Sequence, residues 1–444
     1  MSRYPTLPLS AVCSLITDGS HYSPRTVREG IPYVTVRDIG RGGINFDDSA
    51  RIARDDFESL EANGCRPLKG DVLFSKDGTV GKVALVPDDR EFVVLSSLAI
   101  LRPTARVLPE YLAHALTAPS VQQQVLGARS GTALRRVVLR SLRPIQIPLP
   151  DPDEQRRIVE ILEEHLSHLD QAVVEVDASL RRIEVFERSA HQRALRGELV
   201  EEDAADGTGQ SLVGGLAEVD SSGQQERTWP VPSTWAWVRL GDVFDVFVGA
   251  TPSRSDASLW GGSVPWVSSG EVAFNRITST RERITEAAVT SAKRVHPPGT
   301  VMLAMIGEGK TRGQAAILDI AAAHNQNCAS IRVSETPILP EYVYAFLKER
   351  YLETRRGSSG GNQPALSKAR IQAIPIPIPP LGTQRRIVEK LEEVTASTGR
   401  LRAACSANRT RSDGLRRAIL GAAFAGKLTG RPADKELIEE LAQA

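Results

Sequence analysis

The chain has 444 residues, a quarter of them charged, and a formal net charge of +1 at pH 7. That length allows two or three domains with cores of their own. No run of eighteen apolar residues occurs, which excludes a helical membrane span. Four scattered cysteines (Cys13, Cys65, Cys328, Cys405) form no CxxC pair, arguing against a disulfide framework or a zinc site.

The start, MSRYPTLPLS, has no basic segment followed by an apolar one, so no secretory signal is expected, and the scattered cysteines fit a reducing cytoplasm. Residues 1–150 mix short β-rich runs, IPYVTVRDI (Ile31–Ile39) and GDVLFSKDGTVGKVALV (Gly70–Val86), with a helix opening at Pro109-Glu110. Proline in the first turn with an acid behind it suits a helix N-terminus. Pro150 and Pro152 end this block. Apolar residues then fall at Val159, Leu162, Leu166, Leu169, Val173, Val176, Leu180 and Ile183. Alternating steps of three and four make a heptad seam and predict a long helical arm over 151–200. Residues 201–229 are acidic and rich in Gly and Ser, which reads as a flexible linker.

From 230 to 380 the mixed pattern returns, with VPWVSSGEV (Val264–Val272), GTVMLAMIGEGKTRGQAAIL (Gly299–Leu318) and a helix opening at Pro340-Glu341. Pro379 and Pro380 close it. A second arm over 381–430 keeps a weaker seam: Ile387, Leu391, Val394, Thr398, Leu401, Cys405, Asn408, Ser412, Leu415 and Ile419. Residues 431–444 read as a short amphipathic helix that docks on a partner or folds back onto the arms.

The halves are copies. IPLPDPDEQRRIVEILEE (Ile147–Glu164) returns as IPIPPLGTQRRIVEKLEE (Ile376–Glu393). From Gln155 to Gln384 the offset is 384 − 155 = 229, and Gly197 of LRGEL matches Gly426 of FAGKL at that same offset. A helix packed along its length resists insertions that loops accept cheaply. The order block, arm, block, arm is therefore a tandem duplication, each globular block α+β. Residues 151–229 hold 8 Lys+Arg against 19 Asp+Glu, net −11, while 381–444 hold 12 against 8, net +4. Opposite signs favour those segments lying side by side.

Turns between the strands hold the candidate contacts. In the first block these are Ser20, His21, Tyr22, Arg37, Lys76, Lys82, Arg129, Ser130, Arg135 and Arg136. In the second they are Thr251, Ser253, Arg254, Ser268, Ser269, Lys310, Thr311, Arg312, Gln314, Asn325, Gln326, Arg356, Ser358, Ser359, Asn362 and Gln363. Hydroxyls and cations suit phosphates, and Asn, Gln and Arg suit base edges. If Lys82 or Arg312 meets a phosphate, its replacement by alanine should weaken binding and flatten the salt dependence.

AMIGEGKT (Ala304–Thr311) fits a relaxed phosphate-loop pattern, but a true one leads into a helix, and RGQAAILDI reads as a strand. His165 and His168 sit three apart on the first arm with no further ligands converging. No methyltransferase, nuclease or nucleophile-elbow signature stands out, so the chain reads as non-catalytic. A coiled-coil adaptor that touches no DNA, or a nucleotide-hydrolysing enzyme resting on AMIGEGKT, are the alternatives.

With GGNQPALSKARIQAIPIPIPPLGTQRRIVEKLEE (Gly360–Glu393) in view, the chain resembles the specificity subunits of type I restriction-modification systems. The first half departs from that pattern, reading SGTALRR where the second has GGNQPAL. The resemblance implies two target-recognition domains that read a split, asymmetric double-stranded DNA sequence. It implies two long helices paired as an antiparallel coiled coil that sets the spacer, docking for two methyltransferase subunits, and motor-nuclease subunits beyond them. This chain would bind no metal or cofactor, while S-adenosylmethionine, ATP and Mg would belong to those partners.

Overall fold

The computed structural model describes residues 3–128, 136–214, 229–289, 294–307, 309–356, 365–428 and 433–443. No helix among them is long and apolar enough to cross a membrane. Two compact units emerge: Met1–Ser179 with Ala404–Ala444, and Leu180–Ala403. The division runs through the long helices, Pro152–Ala194 and Leu381–Phe424, and not at their ends.

In the first unit a four-stranded antiparallel sheet runs in the order Cys13–Asp18, Leu98–Pro103, Val72–Ser75, Val83–Leu85. A smaller sheet sets Ile31–Val34 between Ala50–Ile52 and Val93–Val94. The second unit repeats this plan. Val246–Val248, Cys328–Ile331, Val301–Ala304 and Ala315–Leu318 form the matching ladder, extended by Asn275–Ile277, and Trp260–Val267 lies between Glu282–Ile284 and Ala323–His324. The architecture is thus α+β in two tandem repeats, each followed by a long helix. The strand Ala315–Leu318 follows the AMIGEGKT loop, which removes the phosphate-loop reading.

The repeated glutamine and its neighbours fasten each block to its helix. Gln155 is buried; it accepts the Leu108 N–H at 3.0 Å and donates to the carbonyls of Arg106 (3.1 Å) and Pro150 (3.0 Å). Gln384 accepts the Leu339 N–H at 2.9 Å and donates to Pro379 O at 2.9 Å. One buried tyrosine in each short helix donates to the adjoining proline run: Tyr111 to Pro148 O at 2.7 Å, Tyr342 to Pro377 O at 2.6 Å. The eighteen-residue repeat is therefore a fastening in which buried polar groups all find partners.

Both helices end on a glycine with positive φ, Gly197 at +74° and Gly426 at +76°. Beyond each, a 6→1 hydrogen bond closes the last turn, Glu198 N to Arg193 O at 2.9 Å and Lys427 N to Ala422 O at 2.9 Å. A Cβ on Gly197 would lie 2.5 Å from Pro232, and one on Gly426 2.8 Å from Arg3, so only glycine fits. Each arm therefore ends against the opening residues of the other repeat. This explains why the two glycines keep the 229-residue offset.

Within the first unit the helices pair antiparallel: Arg416 meets Asp170 at 2.6 Å and Arg409 meets Asp177 at 2.7 Å. Within the second, both Arg402 and the buried Thr398 reach Glu187, Arg402 Nη2 at 2.8 Å. These partners hold the Glu187 carboxyl below its usual range. The acidic arm thus faces the basic one. Leu162, Leu166, Val173 and Ile183 of the first seam are buried, but Leu401 of the second is 54% exposed. Thr398 takes the inward place near it, its hydroxyl satisfied by Val394 O (2.8 Å) as well as by Glu187. Ile438 of the C-terminal helix Ala433–Gln443 joins the core containing Leu162, Leu166 and Leu420.

Residues 201–213 differ from the expected flexible linker. Asp206 pairs with Arg386 and accepts from Thr383 at 3.1 Å, Glu202 accepts from Thr234 at 2.7 Å, and Gly209 donates to Thr234 O at 2.7 Å. Composition hid this, because one acid placed opposite an arginine anchors a segment that has few apolar residues. Residues 215–228 lie outside the described part.

Candidate nucleic-acid interface

The candidate loops follow the same strands in both units. In the first, Ser20 is buried, accepts the Tyr22 N–H at 3.0 Å and donates to Tyr22 O at 2.6 Å; Tyr33 donates to that carbonyl at 3.4 Å. Ser20 therefore shapes the turn, while the neighbouring His21 and Tyr22 (66% exposed) face solvent. Lys76 is buried with Nζ 3.2 Å from Asp18, so it serves the interior and not a phosphate. Asp77, next to it, pairs through its backbone with Arg136, which is exposed. His21 also lies 3.5 Å from Asp18, so His21, Asp18, Lys76, Asp77 and Arg136 form one neighbourhood.

Lys82 corrects the phosphate expectation. Its ammonium donates to the carbonyls of Val36 at 3.0 Å and Ile39 at 2.7 Å. Thr35 and Asp38 close that turn as a capping box, Asp38 accepting from the Thr35 N–H at 2.7 Å and hydroxyl at 2.9 Å. Together they hold Arg37 outward. Lys82→Ala is expected to weaken DNA binding by loosening this turn while leaving the salt dependence unchanged. Gel shifts across a salt series check this; a slope lower by about one would restore the phosphate role. Arg129, Ser130 and Arg135 lie outside the described residues.

In the second unit Ser268 is likewise a cap, its hydroxyl donating to Glu271 at 2.7 Å. Asn325 is buried and accepts from the Asn327 N–H at 3.1 Å. Arg312 is buried too, which removes it from the phosphate list. Half-buried Thr251 donates to the exposed Gln326, joining the 249–255 loop to the 325–327 turn. Ser253, Arg254 and Lys310 are exposed, while Ser269, Thr311 and Gln314 are half-buried. Arg356 ends the helix Tyr351–Arg356; Ser358, Ser359, Asn362 and Gln363 lie outside the described residues.

Three features escaped the sequence reading. Arg25 and Arg28 are exposed beside Tyr22, and their spacing in SPRTVREG was the available signal. Arg41 pairs with Asp413 of the second arm, a contact between distant positions with no local signature. Trp260 and Trp266 brace the 249–255 loop, donating to Ser253 O at 3.0 Å and Ala250 O at 3.2 Å. The arrangement offers cations, hydroxyls and amides on braced turns, a chemistry of recognition.

Comparison with known proteins agrees. The family model for the type I restriction modification DNA specificity domain matches residues 22–173 and 232–404. The EcoBI specificity subunit of Escherichia coli is 25% identical over 39% of this chain and 36% of its own. The EcoR124I/EcoR124II specificity subunit of the same organism is 26% identical over 36% and 41%. Those matches span about two fifths of the relatives' length. The putative MjaX specificity subunit of Methanocaldococcus jannaschii is 22% identical over 87% and 85%. Among solved structures, a chain of a type I R-M system described for its complex assembly and conformational transition superposes with a TM-score of 0.69 at 21% identity, covering 96% of this chain and 98% of that one. The HsdS subunit from Thermoanaerobacter tengcongensis gives 0.50 at 21%, over 96% and 97%.

Duplicated recognition blocks on paired helices define a DNA-specificity protein. The chain belongs to the type I restriction-modification specificity family. As a specificity subunit it is not itself an enzyme.

Proposed function

We propose that this chain reads a bipartite, asymmetric double-stranded DNA target, one half-site per recognition block, in a cytoplasmic type I complex. The described contacts would be His21, Tyr22, Arg37 and Arg136 in one block and Ser253, Arg254, Lys310 and Gln326 in the other. The block boundaries we assign are 1–150 and 230–380. The paired arms set the unspecified spacer and dock two methyltransferase subunits. Val174, Val185, Phe186 and Leu401, large apolar side chains exposed on the arms, support such docking. The methyltransferases bring S-adenosylmethionine and flip the target adenine; motor-nuclease subunits use ATP and Mg.

The observation that carries this reading is the near-equal length of the helices, 43 and 44 residues, each spanning roughly 65 Å at 1.5 Å per residue. Two recognition blocks on matched arms can grip two separated sites, and DNA deformation to suit a wrong spacing costs on the order of several kcal/mol. Deleting seven facing residues from each arm preserves the seam and shortens the pair by roughly 10 Å. The methylated motif should keep both half-sites and lose about three base pairs of gap, at ~3.4 Å each. Sequencing methylated adenines in cells carrying the variant complex checks this. Altered half-sites, or an unchanged gap, would defeat the ruler.

A further inference from the structure

The 249–255 loop of the second unit carries an arginine held as few exposed arginines are. The guanidinium carbon of Arg254 lies 3.8 Å from the centroid of Trp260 and 5.2 Å from that of Trp266. The two indoles meet edge to face with centroids 5.1 Å apart. Each donates its ring N–H to this loop, at Ser253 O and Ala250 O, so backbone and side chain are braced by the same pair of rings. Both terminal nitrogens of Arg254 engage both carboxylate oxygens of Glu282, Nη2 to Oε2 at 2.9 Å. Yet the side chains remain 56% and 38% exposed.

A phosphate contact needs only a positive charge, and a lysine would serve. A guanidinium stacked flat on an indole presents two parallel N–H donors in a fixed plane. That fork matches planar acceptor pairs: a carboxylate, or the O6 and N7 atoms of guanine in the major groove. Glu282 occupies the place such an acceptor would take. The first unit differs here, with Tyr33 where the second has Trp266 and His21-Tyr22 on the corresponding loop, so this device belongs to one block only.

We propose that Arg254 reads a guanine in one half-site, with Trp260 as its stacking platform and Glu282 as the carboxylate that fills its fork until the base replaces it. The proposal rests on the DNA-reading function above. Its test uses the complete complex with its methyltransferase subunits. Methylated adenines are sequenced in cells carrying wild-type chain, Arg254→Gln or Glu282→Gln. Wild type should give a motif with a guanine that becomes degenerate in Arg254→Gln, at one position of one half-site, with the other half-site kept. Glu282→Gln, which removes the competing charge, should keep the motif and tighten binding of the cognate duplex.

A methylated motif that Arg254→Gln leaves unaltered overturns the proposal, as does a change spread over both half-sites. Should Arg254→Gln methylate nothing, Arg254→Lys decides: it keeps the charge and a cation–π contact with the indole but loses the planar fork. Tested in vitro on duplexes carrying each base pair at every motif position, Arg254→Lys should lose roughly 10- to 100-fold of discrimination at one guanine. Unchanged discrimination there overturns the proposal. A wild-type complex that methylates no defined motif would instead refute the DNA-reading function itself.

Discussion

Gln155→Leu is expected to destabilise the first unit by about 3 kcal/mol, and Gln384→Leu the second by about 2 kcal/mol, though both replace a polar side chain by an apolar one of similar volume. The reason lies in what stays behind. Removing Gln155 leaves the Leu108 N–H and the carbonyls of Arg106 and Pro150 without their side-chain partner. Removing Gln384 strands the Leu339 N–H and Pro379 O, one group fewer. Each buried group left unpaired costs about 1–3 kcal/mol, offset by about 1–2 kcal/mol of added apolar burial. All five tryptophans (Trp229, Trp235, Trp237, Trp260, Trp266) lie in the second unit, so their fluorescence in denaturant follows that unit alone. Amide exchange follows the first. Losses below about 0.5 kcal/mol, or the reverse order, would show that the glutamines are not the fastening.

Acid should unfold the second unit before the first. Burial pushes His296 down to about 3, with help from His324 and Arg332, and pushes His324 down to about 4. Their rings lie 4.9 Å apart in the interior. In the unfolded chain both recover an ordinary value near 6.5. The folded values are depressed, so the unfolded state binds protons first. The stability these groups contribute is complete above pH 6.5 and falls as pH drops toward 4. Two protons make the slope steep across this interval, and the loss by pH 4 amounts to several kcal/mol. That is comparable to the whole stability of a domain. The first unit has one matching group, His114, lowered to about 4 by burial beside Arg416. Tryptophan fluorescence should therefore report a transition between pH 6 and 4, and exchange in the first unit should lag behind. A flat signal across that interval would mean that the histidine pair takes up protons without unfolding. Glu187, Asp206 and Glu282, all held below the usual carboxylate range by arginines, act at lower pH and do not blur this window.

The duplication, the two arms and the strand after AMIGEGKT were legible because each rests on a period or an order that the sequence prints directly. Leu162 and Leu166 had to be inward for a seam to exist, and they are. The division of the chain was less legible. Chain order gives block, arm, block, arm, whereas each compact unit takes the start of one arm and the end of the other, which only the facing charges hinted at. Among the contact residues, composition named types suited to DNA but not which were already committed. Lys76 is claimed by Asp18, Lys82 by two carbonyls, Ser20 and Ser268 by their own turns. Such claims depend on a neighbour brought by folding, and no local spacing announces it. Gln155 stood out in the sequence only as an anchor of the repeat, and its role as a buried hub was hidden for the same reason.

Because Gln155 with Tyr111 and Gln384 with Tyr342 make the same fastening, the two blocks are interchangeable parts. An exchange at Gln155–Glu160 or Gln384–Glu389 would place a foreign block on a native arm with the fastening intact, provided that block brings its own backbone partners for the glutamine. On the proposed DNA-reading function, such an exchange would change one half-site in a single step and leave the other as it was.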